Sequence, residues 1–237
     1  MGKPRHLNHE QPRAAEVKEP FNVDEVFRRL RQAVGELPKA AMFELRDRGF
    51  GSPFQQLVGS LISARTRDET TLEVCERLFA EASSPDEMMG LDEARLVWLL
   101  RGASFPEPKA RCILELARRI SMELDGRVPD TMEGLMAFHG VGPKIAALTL
   151  AVGFGQPAIA VDIHVHRVTN RWGYVATRTP EQTAKALAKT LPKRYWIEIN
   201  ELLVPFGKWI CTGVAPPRCS TCLVRSMCRQ VGVVKYR

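Results

Sequence analysis

The chain has 237 residues, of which 45% are hydrophobic, and it carries a formal net charge of +7 at pH 7. This length is enough for a substantial hydrophobic core in one domain or two small ones. No apolar run approaches the length needed to cross a bilayer and no signal peptide opens the sequence, which excludes a membrane-spanning protein and predicts a cytoplasmic location. The positive charge fits a polyanionic partner such as nucleic acid, although ribosomal and membrane-surface proteins share it.

The N-terminal part of the chain divides into a tail and a first helix. Residues 1–20 contain three prolines, many charges and almost no apolar side chains, which predicts a disordered tail. From Asn22 the pattern becomes helical, whereas residues 41–53 contain glycines and a proline and are predicted to form a connection. The apolar stripe of the first helix comprises Val26, Phe27, Leu30, Ala33 and Val34.

A series of helices and no convincing strand follow, so the sequence predicts an all-α protein. Pro53 opens a segment that is hydrophobic nearly all round, which is typical of a buried central helix. Asp68, Asp86 and Asp92 are predicted to mark the starts of the next helices. Helices are predicted over 69–81, 85–90, 92–101 and 109–124, with a loop over 102–108, and later over the apolar residues 193–210.

Residues 135–171 carry the densest pattern of chemistry-bearing side chains. After an apolar helical turn, Gly140 and Gly142 permit positive φ in a tight turn. Pro143 fits the first position of a second helix, where its missing N–H costs nothing. The start of that helix presents free N–H groups suited to a phosphate, and Lys144 lies one residue inside it.

A carboxylate follows this lysine 18 residues later in the chain. Asp162 directly precedes a helical pattern that includes Val165 and Val168, and we therefore predict it to be an N-cap. The stretch thus offers Lys144 as an amine nucleophile and Asp162 as an anion. From the spacing alone, the alternative is that they are an ordinary surface lysine and an ordinary capping residue.

Cysteines cluster near the C-terminal end with the spacing C-x7-C-x2-C-x5-C. Clustered thiols in a chain without a secretory signal predict a metal site rather than disulfides. Zinc is the generic candidate for four cysteines, although the usual paired CxxC arrangement is missing. The predicted ligands are Cys211, Cys219, Cys222 and Cys228, whereas Cys75 and Cys112 are predicted to be buried in helices.

Two of these patterns resemble the endonuclease III family of DNA glycosylases. The segments 140–146 (GVGPKIA) and 160–164 (AVDIH) are similar to its helix-hairpin-helix and Gly/Pro/Asp signature, with the family's Lys-to-Asp separation. The cysteine spacing resembles the family's C-x6-C-x2-C-x5-C iron–sulfur loop, with one extra residue in the first interval. Phe138-His139 stands in place of the family's Leu-Pro, and Ile145 in place of its Thr.

The resemblance implies roles for individual residues. Lys144 would be the nucleophile and Asp162 the essential carboxylate. Arg65 replaces a family glutamine that fills the gap left by a flipped nucleotide, and Phe105 falls where the family has a wedging leucine. Without the resemblance these two would be an ordinary surface arginine and a core phenylalanine. The other implied DNA contacts are Gly140, Val141, Gly142, His164 and Arg167.

The resemblance also implies a fold of two helical domains with the active-site cleft between them. A six-helix barrel containing the helix-hairpin-helix would span 46–155. The cluster domain would comprise 21–45 and 156–237. The four cysteines would hold a [4Fe–4S] cluster rather than zinc, and this cluster would act as a structural staple.

The function implied is that of a bifunctional DNA glycosylase and AP lyase of base excision repair. Such an enzyme would remove oxidised pyrimidines such as thymine glycol from double-stranded DNA, and cleave damaged or abasic sites by β-elimination through a Lys144 Schiff base. One alternative is an adenine mismatch glycosylase, which usually has another residue at the Lys144 position. A second is a non-catalytic iron–sulfur DNA-binding module, which would not need both Lys144 and Asp162. We expect a nucleoid-associated monomer.

Overall fold

The computed structural model describes residues 17–237, and within this range it contains helices and no strands. The predicted all-α class is therefore confirmed. Most of the predicted tail, residues 1–16, lies outside the described residues. Of the remainder, Glu19 donates its backbone N–H to the Ser226 carbonyl at 2.8 Å, so this short stretch contacts the C-terminal loop.

The α-helices follow one another with short connections. A π-helical turn over Thr149–Gly153 extends α9, and short 3-10 turns occur at Lys193–Tyr195, Cys219–Thr221 and Arg225–Met227. The α-helices are α1 (Val23–Val34), α2 (Ala41–Asp47), α3 (Pro53–Ser63), α4 (Asp68–Phe79), α5 (Pro85–Met89), α6 (Glu93–Leu99), α7 (Pro106–Glu123), α8 (Met132–Met136), α9 (Pro143–Leu148), α10 (Ile163–Trp172), α11 (Pro180–Thr190) and α12 (Glu198–Trp209).

Two hydrophobic cores organise these helices. The first core is built by α2 to α9, with α3 at its centre, because Leu57, Val58 and Ile62 on that helix are fully buried. The second core is built by α1 and α10 to α12. Val204 on α12 packs into the first core, so α12 contacts both. The domain boundaries expected from the sequence stay a prediction, but this division provides a seam along which a site can form.

Helix starts show where the sequence predictions were right and where they were wrong. Ser52 caps α3 in a capping box with Gln55, and Asp92 caps α6 through the Arg95 N–H, as local chemistry favours. Asp68, predicted as an N-cap, is instead the first residue of α4 and forms no cap. Asp86 lies inside α5, whose N-cap is Ser84.

Two further predictions about loops were wrong. The connection predicted over 41–53 contains α2, a seven-residue helix without a side-chain cap that owes its stability to burial of its apolar residues in the first core. The loop predicted over 102–108 is shorter, because α7 already begins at Pro106. Prolines in the first turn of a helix remove only N–H groups that have no intrahelical partner. The helix predicted over 193–210 is a 3-10 turn followed by α12.

Candidate active site

A cleft of about 1060 Å³ opens along the seam between the two cores. Lys144 enters it from α9 in the first core, and Asp162 enters it from the start of α10 in the second. His164, Arg167 and Arg65 also line this cleft. The fold therefore brings together the two residues predicted to be catalytic and three of the predicted DNA contacts.

Asp162 is the N-cap of α10, as predicted. Its Oδ1 accepts the backbone N–H groups of His164 and Val165, both at 2.9 Å. Its Oδ2 accepts no hydrogen bond from any residue that the structure describes. One carboxylate oxygen thus fixes the side chain on the helix terminus, and the other is available to a ligand in the cleft.

Lys144 is exposed and makes no hydrogen bond or ion pair with the described part of the chain. It is the second residue of α9, which begins at Pro143 after the Gly142 N-cap. The amine is therefore held at the cleft by its backbone alone. Such a group is accessible to an electrophile, as a nucleophile must be.

The hairpin before α9 uses its two glycines differently. Gly140 has φ of +79°, in the left-handed region, whereas Gly142 is extended with φ of −93°. Only Gly140 therefore uses the positive φ that both glycines permit. A Cβ at Gly140 would lie 3.3 Å from the Cys112 Sγ, but one at Gly142 would meet nothing within 4 Å.

The backbone N–H groups of this hairpin are also unequal. Val141 donates its N–H to the Phe138 carbonyl at 3.2 Å, so this group is already used inside the protein. The N–H groups of Gly140 and Gly142 donate to no other residue within 17–237. Two of the three predicted backbone contacts therefore remain free to bind an anion, and the third, Val141, does not.

His164 and Arg167 are held inside the second core region. The Arg167 guanidinium donates to the Gly207 carbonyl at 2.8 Å, to the Cys211 carbonyl at 3.2 Å and to the His164 Nδ1 at 3.0 Å. Burial lowers the pKa of both side chains. A Cβ at Gly207 would lie 2.8 Å from the His164 ring. Arg167 therefore links α10 to the C-terminal end of α12, and its contact with DNA stays a prediction.

A smaller cavity of about 400 Å³ adjoins the cleft beside Lys144. Its walls are largely apolar and include Ile145 and Leu148 from α9. The polar groups on its lining include Ser63 and Glu181, neither of which was singled out from the sequence. A few polar groups on apolar walls are typical of a small-ligand pocket.

Arg65 and Phe105 face one another at the tips of two neighbouring loops. Phe105 is 57% exposed, which excludes the alternative that it is a core residue. The Arg65 guanidinium carbon lies 5.8 Å from the Phe105 ring centroid. Both residues have left-handed backbones, with φ of 59° and 56°. Non-glycine residues rarely adopt this conformation, and they cluster at functional sites.

The four clustered cysteines line one cavity together with Arg171 and Gln230. Arg171 donates to the Cys211 Sγ at 3.4 Å, and the Gln230 N–H donates to the Cys228 Sγ at 3.3 Å. Burial raises the pKa of the Cys222 thiol to about 12 and that of Cys228 to about 11. No group of three or more potential ligands within 17–237 is already arranged around a single metal ion. Partly buried thiols supplied with N–H donors fit a bound cationic group that would hold them as thiolates.

Two polar features were not predicted from the sequence: an ion pair across the cleft and a buried lysine on α7. Lys208 on α12 forms an ion pair with Asp68 on α4 at 2.7 Å, which joins the two sides of the cleft. Lys109 is buried on α7, and burial lowers its pKa to about 8. The signal for Lys109 was present, because it lies on the same helical stripe as Ile113, Leu116 and Ile120.

No helix within 17–237 is both long enough and apolar enough to cross a membrane.

Comparison with known proteins connects the fold to a class. Residues 58–193 match the family model described as "HhH-GPD superfamily base excision DNA repair protein".

Relatives and solved structures make the class more specific. The chain is 42% identical over 176 residues to endonuclease III of Thermotoga maritima, covering 74% of this chain and 82% of that protein. It is 38% identical over 178 residues to endonuclease III-like protein 1 of Bos taurus, covering 74% of this chain but 58% of that longer protein. A trapped endonuclease III–DNA covalent intermediate superposes with a TM-score of 0.75 at 29% identity, covering 89% of this chain and 97% of that one.

The chain belongs to the endonuclease III family within the HhH-GPD superfamily of base excision DNA repair proteins. It is accordingly a DNA glycosylase/AP lyase of the endonuclease III type. The resemblance deduced from the Gly-x-Gly hairpin, the Lys–Asp pair and the cysteine spacing is therefore confirmed.

Proposed function

We propose that the enzyme removes oxidised pyrimidines of the thymine glycol type from double-stranded DNA and then cleaves the strand by β-elimination. The observation that carries this proposal is the meeting of an unpaired lysine amine and a half-free carboxylate in one cleft, at Lys144 and Asp162. A lyase reaction needs such an amine, because the step passes through an imine with the sugar. A protein that only binds DNA would not need both Lys144 and Asp162.

Binding would begin at the hairpin and at the two loop tips. The free N–H groups of Gly140 and Gly142 would bind a phosphate beside the lesion. Arg65 and Phe105 would fill the gap that a flipped nucleotide leaves in the duplex. The extruded base would enter the cavity of about 400 Å³, whose apolar walls suit a damaged ring that no longer stacks well.

The chemistry would use the two catalytic residues in sequence. Asp162 stabilises the positive charge that develops on the sugar as the glycosidic bond breaks, and the base leaves with the bonding electrons. The neutral Lys144 amine then forms its bond to C1′ and gives up one proton. O4′ takes up a proton as its bond to C1′ breaks, and the nitrogen keeps its remaining N–H as a protonated imine. Loss of a C2′ proton then expels the 3′ oxygen, which cuts the strand.

The cysteines would hold a [4Fe–4S] cluster through their four thiolates. The cluster would hold the C-terminal loop in one conformation. We assign it this structural role and no redox role, because cleavage of a glycosidic bond transfers no electrons. The loop that contains the cysteines contacts α10, because the Arg229 N–H donates to the Trp172 carbonyl at 3.2 Å. We further propose that the protein acts as a monomer on DNA.

Borohydride trapping on duplex DNA containing thymine glycol tests the proposal. The wild type is expected to form a covalent adduct, and Lys144→Ala is expected to form none. Lys39→Ala is a matched control, because Lys39 is an exposed lysine that forms an ion pair with Asp47 and lines neither the cleft nor the adjoining cavity. The control should trap DNA like the wild type.

The outcomes separate the alternatives. Trapping on thymine glycol DNA that persists in Lys144→Ala would contradict the role of this lysine. Base removal without an adduct would indicate a monofunctional glycosylase, and activity on adenine opposite 8-oxoguanine would favour a mismatch enzyme. Binding with no base removal from any of these substrates would favour a non-catalytic module.

A further inference from the structure

Lys109 holds a buried positive charge beside the two loops that carry Arg65 and Phe105. The residue is 9% exposed, and its Nζ donates to the Ile62 carbonyl at 2.6 Å, the Ala64 carbonyl at 2.8 Å and the Thr66 hydroxyl at 3.0 Å. All three available N–H donors of the ammonium group are thereby used. Burying a charge is costly unless it is hydrogen-bonded, and here three oxygens accept from the ammonium group.

Two of the oxygens that bind Lys109, the Ile62 and Ala64 carbonyls, lie at the C-terminal end of α3. The last carbonyls of a helix lack intrahelical partners and carry partial negative charge, so a cation is stabilised there. No ion pair joins Lys109 to a carboxylate in the described part of the chain, and the thiol of the nearby Cys75 has its pKa raised to about 12 by burial. The ammonium charge is therefore balanced by the Ile62 and Ala64 carbonyl dipoles and by the Thr66 hydroxyl, so it fixes the shape of the 64–66 loop.

The second loop is tied to the same group of atoms. The Ser104 N–H donates to the Thr66 hydroxyl at 3.1 Å, and the Ser104 hydroxyl donates to the Arg65 carbonyl at 2.8 Å. The Lys109 backbone N–H donates to the Phe105 carbonyl at 3.3 Å. One residue thus contacts both loops, with its ammonium group on the first and its backbone on the second.

This network lies directly beneath two unfavourable backbone conformations. Arg65 and Phe105 both occupy the left-handed region, and Phe105 also precedes a proline, which restricts its backbone further. Such conformations persist only when the surrounding contacts over-determine them. The contacts available here are those of Lys109, Thr66 and Ser104.

We propose that Lys109 is a positioning residue that clamps the 64–66 and 104–105 loops together, so that Arg65 and Phe105 enter the duplex as a preformed pair. This inference rests on the proposed function, since it requires these two side chains to fill the gap left by a flipped nucleotide. Lys109 touches neither substrate nor the reacting atoms. It acts through the geometry of the two loop tips.

The test measures gap filling and chemistry separately. Gap filling is followed by the fluorescence of 2-aminopurine placed opposite a tetrahydrofuran abasic analogue in a duplex, because insertion of the pair unstacks the reporter. Chemistry is followed by cleavage of an abasic site in single-stranded DNA, where no duplex gap has to be filled. The variants are Lys109→Met, which keeps the length of the side chain and removes its ammonium group, and Thr66→Val, which keeps the side-chain shape, removes the bridging hydroxyl and leaves Lys109 in place.

Both variants should show a smaller fluorescence rise and slower removal of thymine glycol from duplex DNA. For Lys109→Met the rate of removal should fall roughly tenfold or more. Single-strand cleavage should stay within about twofold of wild type, because Lys144 is untouched. Lys109→Arg should restore part of the rise, since a guanidinium can also donate to several carbonyls. Ile113→Val, a fully buried change on the same helix, controls for loss of packing alone.

A fluorescence rise in Lys109→Met and Thr66→Val equal to that of Ile113→Val would overturn the clamp. Should Lys109→Met fail to fold, Thr66→Val decides the question. A wild type that cleaves thymine glycol duplexes without any fluorescence rise overturns the clamp and the gap-filling role of Arg65 and Phe105, while the proposed base removal and strand cleavage stand. A wild type that shows the rise but cleaves no substrate contradicts the proposed function, and the variants still report on the clamp.

Discussion

At the residue scale, Asp162 is the N-cap of α10 and, in the proposed mechanism, also the carboxylate that acts on the substrate. Its Oδ1 receives two backbone N–H groups at the start of α10, which fixes the side chain in one rotamer, while Oδ2 faces no donor within the described chain. A carboxylate held in this way loses little conformational freedom when it acts on a substrate. The observed capping role and the proposed catalytic role therefore fall on one residue, and substitutions can separate them.

We predict that Asp162→Asn and Asp162→Ala differ in stability but not in activity. Asparagine is a good N-cap, so Asp162→Asn should unfold at nearly the wild-type temperature, whereas Asp162→Ala should lose about 1 kcal/mol. Both should lose base removal by roughly 100-fold or more, because neither carries the negative charge. Thermal unfolding and single-turnover kinetics check this, and an active Asp162→Asn enzyme would show that the cap alone matters.

Lys109 gives the stability a specific pH dependence. Burial lowers its pKa from 10.5 to about 8 in the folded protein, so between these values the unfolded chain binds more protons than the folded one. Stability from this group therefore rises as pH increases from about 8 to about 10.5, and below pH 8 its charging penalty is fully present. The full penalty corresponds to about 3 kcal/mol.

The measurement is urea unfolding of wild type and Lys109→Met across this pH range. Other groups titrate there too, and the difference between the two proteins isolates Lys109. The stability of wild type relative to Lys109→Met should increase with pH. A difference that stays constant from pH 7.5 to 10.5 would contradict the lowered pKa.

At the scale of elements, the hairpin between α8 and α9 shows that a motif's residues can be required for different reasons. Gly140 is required by its backbone, because φ is +79° and a Cβ would crowd the Cys112 Sγ. Neither backbone strain nor crowding requires a glycine at position 142. The Gly142 backbone is extended, and an added Cβ would meet no atom within 4 Å. We infer that the second glycine leaves room for a phosphate to approach the backbone.

We predict that Gly140→Ala lowers the stability of the protein and that Gly142→Ala lowers its affinity for DNA. Gly140→Ala should lower the free energy of unfolding by roughly 1–2 kcal/mol. Gly142→Ala should unfold like the wild type but bind duplex DNA containing a tetrahydrofuran site several-fold more weakly. Calorimetry and fluorescence anisotropy at fixed salt measure the two effects. Equal affinity of Gly142→Ala and wild type would remove Gly142 from the interface.

At the scale of the whole molecule, the two cores are joined by a few polar contacts and by α12. The Lys208–Asp68 pair crosses the cleft, and the Asn200 amide donates to the Ala160 carbonyl at 3.1 Å between the two cores. The cysteine loop packs on the second core, to which Cys211, Cys222 and Cys228 are partly buried neighbours. Removal of a bound cluster should therefore destabilise the second core, and with it the Asp162 side of the cleft.

We predict that Cys222→Ser abolishes iron binding and lowers the unfolding temperature by roughly 10 °C, because a structural metal group contributes its binding energy to folding. Cys112→Ala, outside the cysteine loop, should keep its full iron content. Iron analysis and visible absorption together with thermal unfolding provide the check. A Cys222→Ser protein with the wild-type iron content would exclude this residue as a ligand.

The sequence by itself determined the features that depend on local order along the chain. Periodicity revealed the helical class, and the Gly-x-Gly turn, the Pro143 start and the Asp162 cap are local chemistry that the structure repeats. The spacing of the four cysteines predicted one site, and the structure places them around one cavity. Errors fell where burial outweighs local signals, as in α2, which has no cap and is held by the first core.

Only the tertiary structure decided how these pieces meet. Lys144 and Asp162 lie on helices of different cores, and their meeting in one cleft depends on how α9 and α10 pack, which no local pattern encodes. The exposure of Phe105, its contact with Arg65 and the burial of Lys109 likewise arise between loops and helices distant in the chain. The physical reason is that a helix signal needs a few neighbouring residues, whereas burial and charge balance depend on the side chains that folding brings together from the whole chain.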